Sequence, residues 1–232
     1  LAAALPFEAT HPALVIGPLS LSTVELCLYI ALGLGALAAG LSARSLRVAP
    51  KPVAWAAILA WVTVLLLSAL DAREPRDEAV RFALRSVGAA GLAFAVARAS
   101  AIPWARVAIL AGVALGACAS AALGAIEGFF PGFAPALAAF RVQSFSLAGY
   151  PRAMGPFQYP TIAAMSWEAS APVVLGLIAV LPLRRRFRVA LATAVGVLFG
   201  AAIAATLSRA GLAIGAIVLL IMALVAWFRN RP

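Results

Sequence analysis

Apolar runs close to twenty residues long recur along this chain, separated by short segments rich in arginine, proline or glycine. A helix needs about 20 apolar residues, at about 1.5 Å each, to cross a hydrocarbon core of about 30 Å. On that measure seven spans are expected, over residues 19–41, 53–70, 79–97, 107–126, 161–183, 189–206 and 211–228. The third contains Arg81 and Arg85, which leave only residues 86–97 free of charge, so taken alone it reads as an interfacial helix. The last two flank Thr206-Leu207-Ser208-Arg209-Ala210-Gly211, where Arg209 is the one charged residue between Arg188 and Arg229. That pattern predicts a helical hairpin whose tight turn carries a guanidinium at one membrane face. The fold class expected is all-α: a polytopic helical transmembrane bundle of about seven spans, forming a single transmembrane domain over residues 1–232.

Composition agrees with the pattern. Hydrophobic residues make up 65% and charged residues 11%, against about 25% charged in soluble domains, and the mean hydropathy is +1.05. A net charge of +10 would point to nucleic acid in a soluble protein, but here the basic residues lie mostly in short loops between apolar runs. They are read as topology signals, and no nucleic-acid partner is expected. Keeping all seven spans puts Arg44, Arg47, Lys51, Arg98, Arg106, Arg184, Arg185, Arg186, Arg188, Arg229 and Arg231 on one side, the cytoplasmic side by the positive-inside rule. Dropping the third span would set the 184–188 arginines opposite Arg44, Arg47 and Lys51, which the rule disfavours. The chain then starts outside and ends inside, with outer excursions at 71–78 and about 129–160. The second is crowded with aromatic residues and prolines, and is expected to lie flat on the outer interface in contact with membrane lipids. The chain begins at Leu1, and Leu1-Ala2-Ala3-Ala4-Leu5 reads as the last turn of an apolar helix, so the sequence is expected to be part of a longer protein.

Three constellations are candidates for chemistry. Arg141, Arg152 and Arg209 all fall on the outer side, where the positive-inside bias should have removed them; a planar fork of donors suits phosphate oxygens, and the bland alternative is snorkelling to headgroups. Glu25 and Glu168 are intramembrane carboxylates, with Glu127 near the end of its span. Glu168 is two turns inside its helix, with Pro172 one turn on, and needs a partner such as Arg141, Arg152 or Arg209; a packing ion pair competes there with a proton-relay or substrate-contact role. Glu25 has Arg81 or Arg85 in prospect. The third set, Asp71, Arg73, Glu74, Arg76, Asp77 and Glu78, reads as a solvated, self-paired loop without chemistry. His11, the single histidine, has no ligand-spaced neighbour, and Cys27 and Cys118 read as small apolar residues; no metal and no cofactor are expected.

Gly155-Pro156-Phe157-Gln158-Tyr159-Pro160 leading into Thr161-Ile162-Ala163-Ala164, with Arg152 just before, resembles the outer loop-to-helix junction of the O-antigen ligase and O-antigen polymerase superfamily. The Thr206–Gly211 segment resembles the Ser-Arg-Gly type turn of that family, and Leu5-Pro6-Phe7-Glu8 its amino-terminal region. One departure is that the family often has Asn after the proline of the junction motif, where Thr161 stands here. The resemblance implies a metal-independent membrane glycosyltransferase of the bacterial inner membrane. Such an enzyme moves a glycan from an undecaprenyl-pyrophosphate carrier to a lipid or glycan acceptor at the periplasmic face. It implies that Arg152 and Arg209, with Arg141 and Glu168 nearby, hold substrate, while the catalytic residue is not identified. Fixed guanidinium donors suit a leaving pyrophosphate, which gains charge in the transition state. It also implies a periplasmic loop with a histidine beyond Pro232, without which the chain alone would be inactive. Two other classes stay open: a transporter or channel subunit with a polar site around Glu168 and Arg209, and a structural membrane subunit whose charges serve packing and topology.

Overall fold

The computed structural model describes residues 6–7, 9, 11, 13–16, 19–24, 26–31, 52–71 and 76–229. Among these residues 77% are helical. A short antiparallel hairpin, β1 (Leu14–Ile16) and β2 (Leu19–Leu21), pairs Val15 with Ser20. Helix α1, described over residues 23–24 and 26–31, follows it. Then come α2 (Pro52–Asp71), α3 (Arg76–Ala99) and α4 (Pro103–Phe129). A 3-10 turn (Pro131–Leu137) leads to a second hairpin, β3 (Phe145–Leu147) and β4 (Tyr150–Arg152). The chain closes with α5 (Pro160–Val180), α6 (Arg185–Ala205) and α7 (Arg209–Arg229).

Four of the described helices are long and apolar enough to cross a membrane: Phe82–Ala99 within α3, then α4, α5 and α6; shorter apolar stretches lie in α2 and α7. The segment expected to be ambiguous, around Arg81 and Arg85, is therefore an unbroken helix with a spanning-length apolar part. The first expected span, residues 19–41, needs correction at its start. Leu19–Leu21 is a strand paired with Leu14–Ile16, because Gly17-Pro18 between two apolar triplets is turn chemistry rather than helix interior. Residues 32–50 lie outside those described. The excursion expected at 129–160 contains the 3-10 turn and the β3–β4 hairpin.

The contacts divide the chain into two compact units, His11–Ile109 (with Leu1) and Leu110–Pro232 (with Ala2–Thr10). In the first, α2 packs along α3, with Trp55 edge-on to Phe94 at 5.0 Å and the Arg98 guanidinium over the Phe94 ring at 5.8 Å.

The second unit has the larger core, and small residues set its geometry. Trp167 of α5 is fully buried, its ring so close to Gly124 of α4 that a Cβ there would lie 2.1 Å from it. Its indole N–H donates to Ser120 Oγ at 3.1 Å, and Phe157 meets its ring edge-on at 5.9 Å. Gly128 of α4 similarly abuts Ala205 of α6, and Gly211 of α7 abuts Ala164 of α5. Close backbone approach through Gly and Ala is how helices pack where lipid supplies no hydrophobic drive between them. The short turns after α5 and α6 make neighbours antiparallel, so the C-terminal ends of α4 and α6 and the N-terminal ends of α5 and α7 gather at one end. Arg184, Arg185, Arg186 and Arg188 lie at the α5–α6 turn, the other end of these helices.

Candidate functional site

All four expected site residues, Arg141, Arg152, Glu168 and Arg209, belong to the second unit, at the end where the 129–160 segment returns to the bundle. Their surroundings differ. Arg141 is buried and pairs with Glu127, a carboxylate in the last turn of α4, and it also donates from Nη2 to the Ala134 carbonyl at 3.2 Å. Glu127 Oε2 accepts from the backbone N–H groups of Met154 and Gly155, both at 2.9 Å. Two successive amides turned toward one anion form a nest. Gly155 permits it because its φ of +54° is a left-handed conformation, and a Cβ there would stand 3.0 Å from the Ser120 carbonyl.

Arg152 closes the segment from the other side. Its Nε donates to the Thr206 carbonyl at 2.8 Å, and the next backbone N–H, of Ala153, donates to the Ala205 carbonyl at 2.9 Å. These carbonyls end α6 and have no partner within it, so a guanidinium there satisfies an orphan acceptor at the negative end of the helix dipole. Gln158 completes the tethers, donating to the Phe140 carbonyl at 2.8 Å while its side-chain oxygen accepts from Val142 N–H at 3.3 Å. Phe7 packs edge-on against Phe140 at 5.8 Å.

The turn after α6 is built from three residues with separate tasks. Thr206, fully buried, donates to the Ile203 carbonyl at 2.7 Å and accepts from Ser208 N–H at 3.2 Å. Leu207 adopts φ +50°, the position after a helix end usually taken by glycine. Ser208 caps α7, its Oγ accepting from Gly211 N–H at 3.2 Å. Arg209 is thereby the first residue of α7, exposed at the rim of this end. Its donors, the amides of Arg209 and Ala210 that open the helix and the positive end of the α7 dipole all suit an anion.

Glu168 faces the same first turn from α5. It is 7% exposed, its Oε1 has no hydrogen-bond partner among the described residues, and a Cβ on Gly211 would lie 3.0 Å from that oxygen. None of the three arginines expected as partners is bonded to it. Arg141 is held by Glu127 and Arg152 by Thr206. Arg209 is two positions from Gly211, about 200° around the helix, and so leaves α7 on another side. The partner expected for Glu25 cannot be set against this, because Glu25 lies outside the described residues. His11 is exposed, and among the described residues no group of three His, Cys, Asp or Glu side chains is placed to hold a metal.

The chain matches no protein-family model, no curated protein and no solved structure. The arrangement itself is what remains: Arg152 is brought across 54 positions of sequence to the turn that carries Arg209. Glu127 is the residue that sequence reasoning undervalued. Its signal was present, a lone carboxylate closing an apolar span, but its partners are mostly backbone amides, which leave no trace in residue identity.

Proposed function

We propose that this end of the bundle binds the diphosphate of a polyprenyl-linked glycan, with Arg152 and Arg209 as the anion-holding pair. The protein then acts as an O-antigen ligase-like glycosyltransferase at the periplasmic face of a bacterial inner membrane. The observation that carries this reading is the meeting of Arg152 with the α6–α7 turn at the Thr206 carbonyl. Two guanidinium groups, the first turn of α7 and an uncommitted carboxylate, Glu168, thus belong to one locality. The arginine cluster at 184–188 lies at the other end of the helices, and the positive-inside rule then favours the outer side for Arg152 and Arg209.

In chemical terms, a lipid-linked donor presents its diphosphate at headgroup level, with its tail in the bilayer. An acceptor hydroxyl forms the new bond to the anomeric carbon and gives up its proton to water, while the anomeric C–O bond breaks with its electron pair going to the diphosphate, and charge grows on the departing oxygens. Donors already fixed in place stabilise that charge without reorganisation. Arg152 is fixed through Nε by the end of α6, which orients the rest of its fork; Arg209 is fixed at its base by the Ser208 cap. Arg141 is committed to Glu127, and in this reading it shapes the loop rather than touching the donor.

The test is Arg209→Ala and Arg209→Lys in the whole protein, scored by glycan attachment to the acceptor in cells at matched membrane abundance. A loss on the order of 10²–10³-fold in transfer is expected for Arg209→Ala, the scale of removing one transition-state donor. Lysine should restore only part of it, since a point charge does not reproduce a bidentate fork. Undiminished attachment in both variants would sink the diphosphate role.

A further inference from the structure

The segment between Gly128 and Tyr159 carries two charged residues in its whole length, Arg141 and Arg152, and neither is fully exposed: Arg141 is buried against Glu127, and Arg152 is half-buried with its Nε on the Thr206 carbonyl. The exposed residues along it are apolar, aromatic or hydroxyl-bearing apart from Gln143, and none is charged. Phe129 is 70% exposed, Phe130 66%, Val142 82%, Leu147 48% and Tyr150 71%. A solvated protein surface carries about 25–35% charged residues, and scattered single hydrophobes need no explanation, but a segment of this length with no exposed charge does.

We infer that this segment is a lipid-docking surface, with the β3–β4 hairpin resting in the headgroup layer of the bilayer. Two observations select lipid over a protein partner. Phe129 ends the spanning helix α4 and Tyr159 precedes Pro160, the start of spanning helix α5, so the segment leaves and rejoins the bundle at the level where the membrane surface must lie. Exposed apolar side chains also stand on the adjoining turns of both helices, Ile126 at 40%, Ile162 at 48% and Met165 at 65% exposed. The residue types also fit, since Phe and Tyr at such a boundary set an apolar body toward the acyl chains and leave a polar edge wet.

Depth follows from the backbone. The β3–β4 hairpin has two three-residue strands and, among the described residues, no third strand beside it, so its outer edges present amides and carbonyls outside any ladder. Such edges are not tolerated in hydrocarbon, where every backbone polar group must be satisfied internally, but they are tolerated among headgroups and their water. The hairpin therefore lies at the boundary and not below it. Because Arg152 is the last residue of β4, the same contact fixes how deep the α6–α7 turn sits relative to lipid phosphates. This inference goes beyond glycan transfer and does not depend on it.

The experiment places a nitroxide at Leu147→Cys, and separately at Tyr150→Cys, in whole protein carrying Cys27→Ser and Cys118→Ala, reconstituted in phosphatidylcholine–phosphatidylglycerol vesicles. Collision with lipid-soluble oxygen and with a water-soluble nickel chelate is then read by power saturation. At both sites oxygen is expected to dominate over nickel, with a depth at the headgroup–acyl boundary. Preferential collision with nickel would overturn the inference, showing a loop free in water. Exclusion of both reagents would also overturn it, showing a protein or second copy on this surface. None of these outcomes reads transferase activity, so a failed Arg209 test leaves this one standing, and the reverse.

Discussion

Glu127 and Glu168 are the same residue type, both nearly sealed from solvent and both carried on apolar helices, yet one is saturated with partners and the other is not. Glu127 receives a guanidinium and two backbone amides. Glu168 has an oxygen bonded to nothing among the described residues and is pressed against the bare backbone of Gly211. Burial alone therefore assigns neither role. A buried charge with its full set of donors is a structural fixture, whereas an unmatched one is a place where a ligand has something to contribute. Arg141 and Arg209 repeat the contrast in the opposite sign, one folded into the loop and one at the rim.

The contrast can be broken most directly at Glu127. Replacement by Ala leaves Arg141 buried without its counter-charge and two amides without an acceptor, and should cost about 3–5 kcal/mol, measured by denaturant unfolding of the purified protein in detergent. A cost no greater than that of Glu168→Ala would remove the distinction between the two carboxylates. Gly211→Val is next. Its Cβ would meet Ala164 at 2.8 Å and Glu168 at 3.0 Å, so α5 and α7 must part, with a loss of about 1–3 kcal/mol in the same assay. Ser208→Ala deletes the α7 cap and is expected to lower stability by about 1 kcal/mol; a larger fall would mean that the serine holds more than Gly211 N–H. The smallest effect belongs to Glu168→Gln, which keeps shape and removes charge. Stability should stay within about 0.5 kcal/mol, and a drop beyond that would reveal a structural partner for Glu168 and place it with Glu127.

Helix positions were largely legible in the sequence, because a spanning helix is specified by length and apolarity, and both are sums over residues. Residues 189–206 and 211–228 were expected as a hairpin, and α6 (Arg185–Ala205) and α7 (Arg209–Arg229) form one about Thr206, Leu207 and Ser208. The limits differ by a turn at the basic end, since Arg185, Arg186 and Arg188 are good helix formers that continue α6 past its apolar part. The β1–β2 hairpin was masked by the same arithmetic: Leu14–Ile16 and Leu19–Leu21 are as apolar as a helix, and only Gly17-Pro18 separates the two readings. Arg152 and Arg209 were expected on one face, and the contact of Arg152 with Thr206 brings them to one turn. Which acid served which base was not legible. Charge signs allow Glu168 to pair with any of three arginines, and the choice was made by backbone amides at Met154 and Gly155 that draw Glu127, rather than Glu168, to Arg141.

The partners of Glu127 also impose an order of events during synthesis. All of them come later in the chain, Arg141 by 14 positions and the amides of Met154 and Gly155 by 27 and 28. At about 5–20 residues per second, the carboxylate at the end of α4 stays without its partners for seconds while the following segment emerges. During that interval it is an isolated charge at a helix end, which resists being drawn into the bilayer and so marks where α4 stops. When residue 155 arrives the charge is enclosed, and the chain is then committed to entering α5 from the same side it left α4.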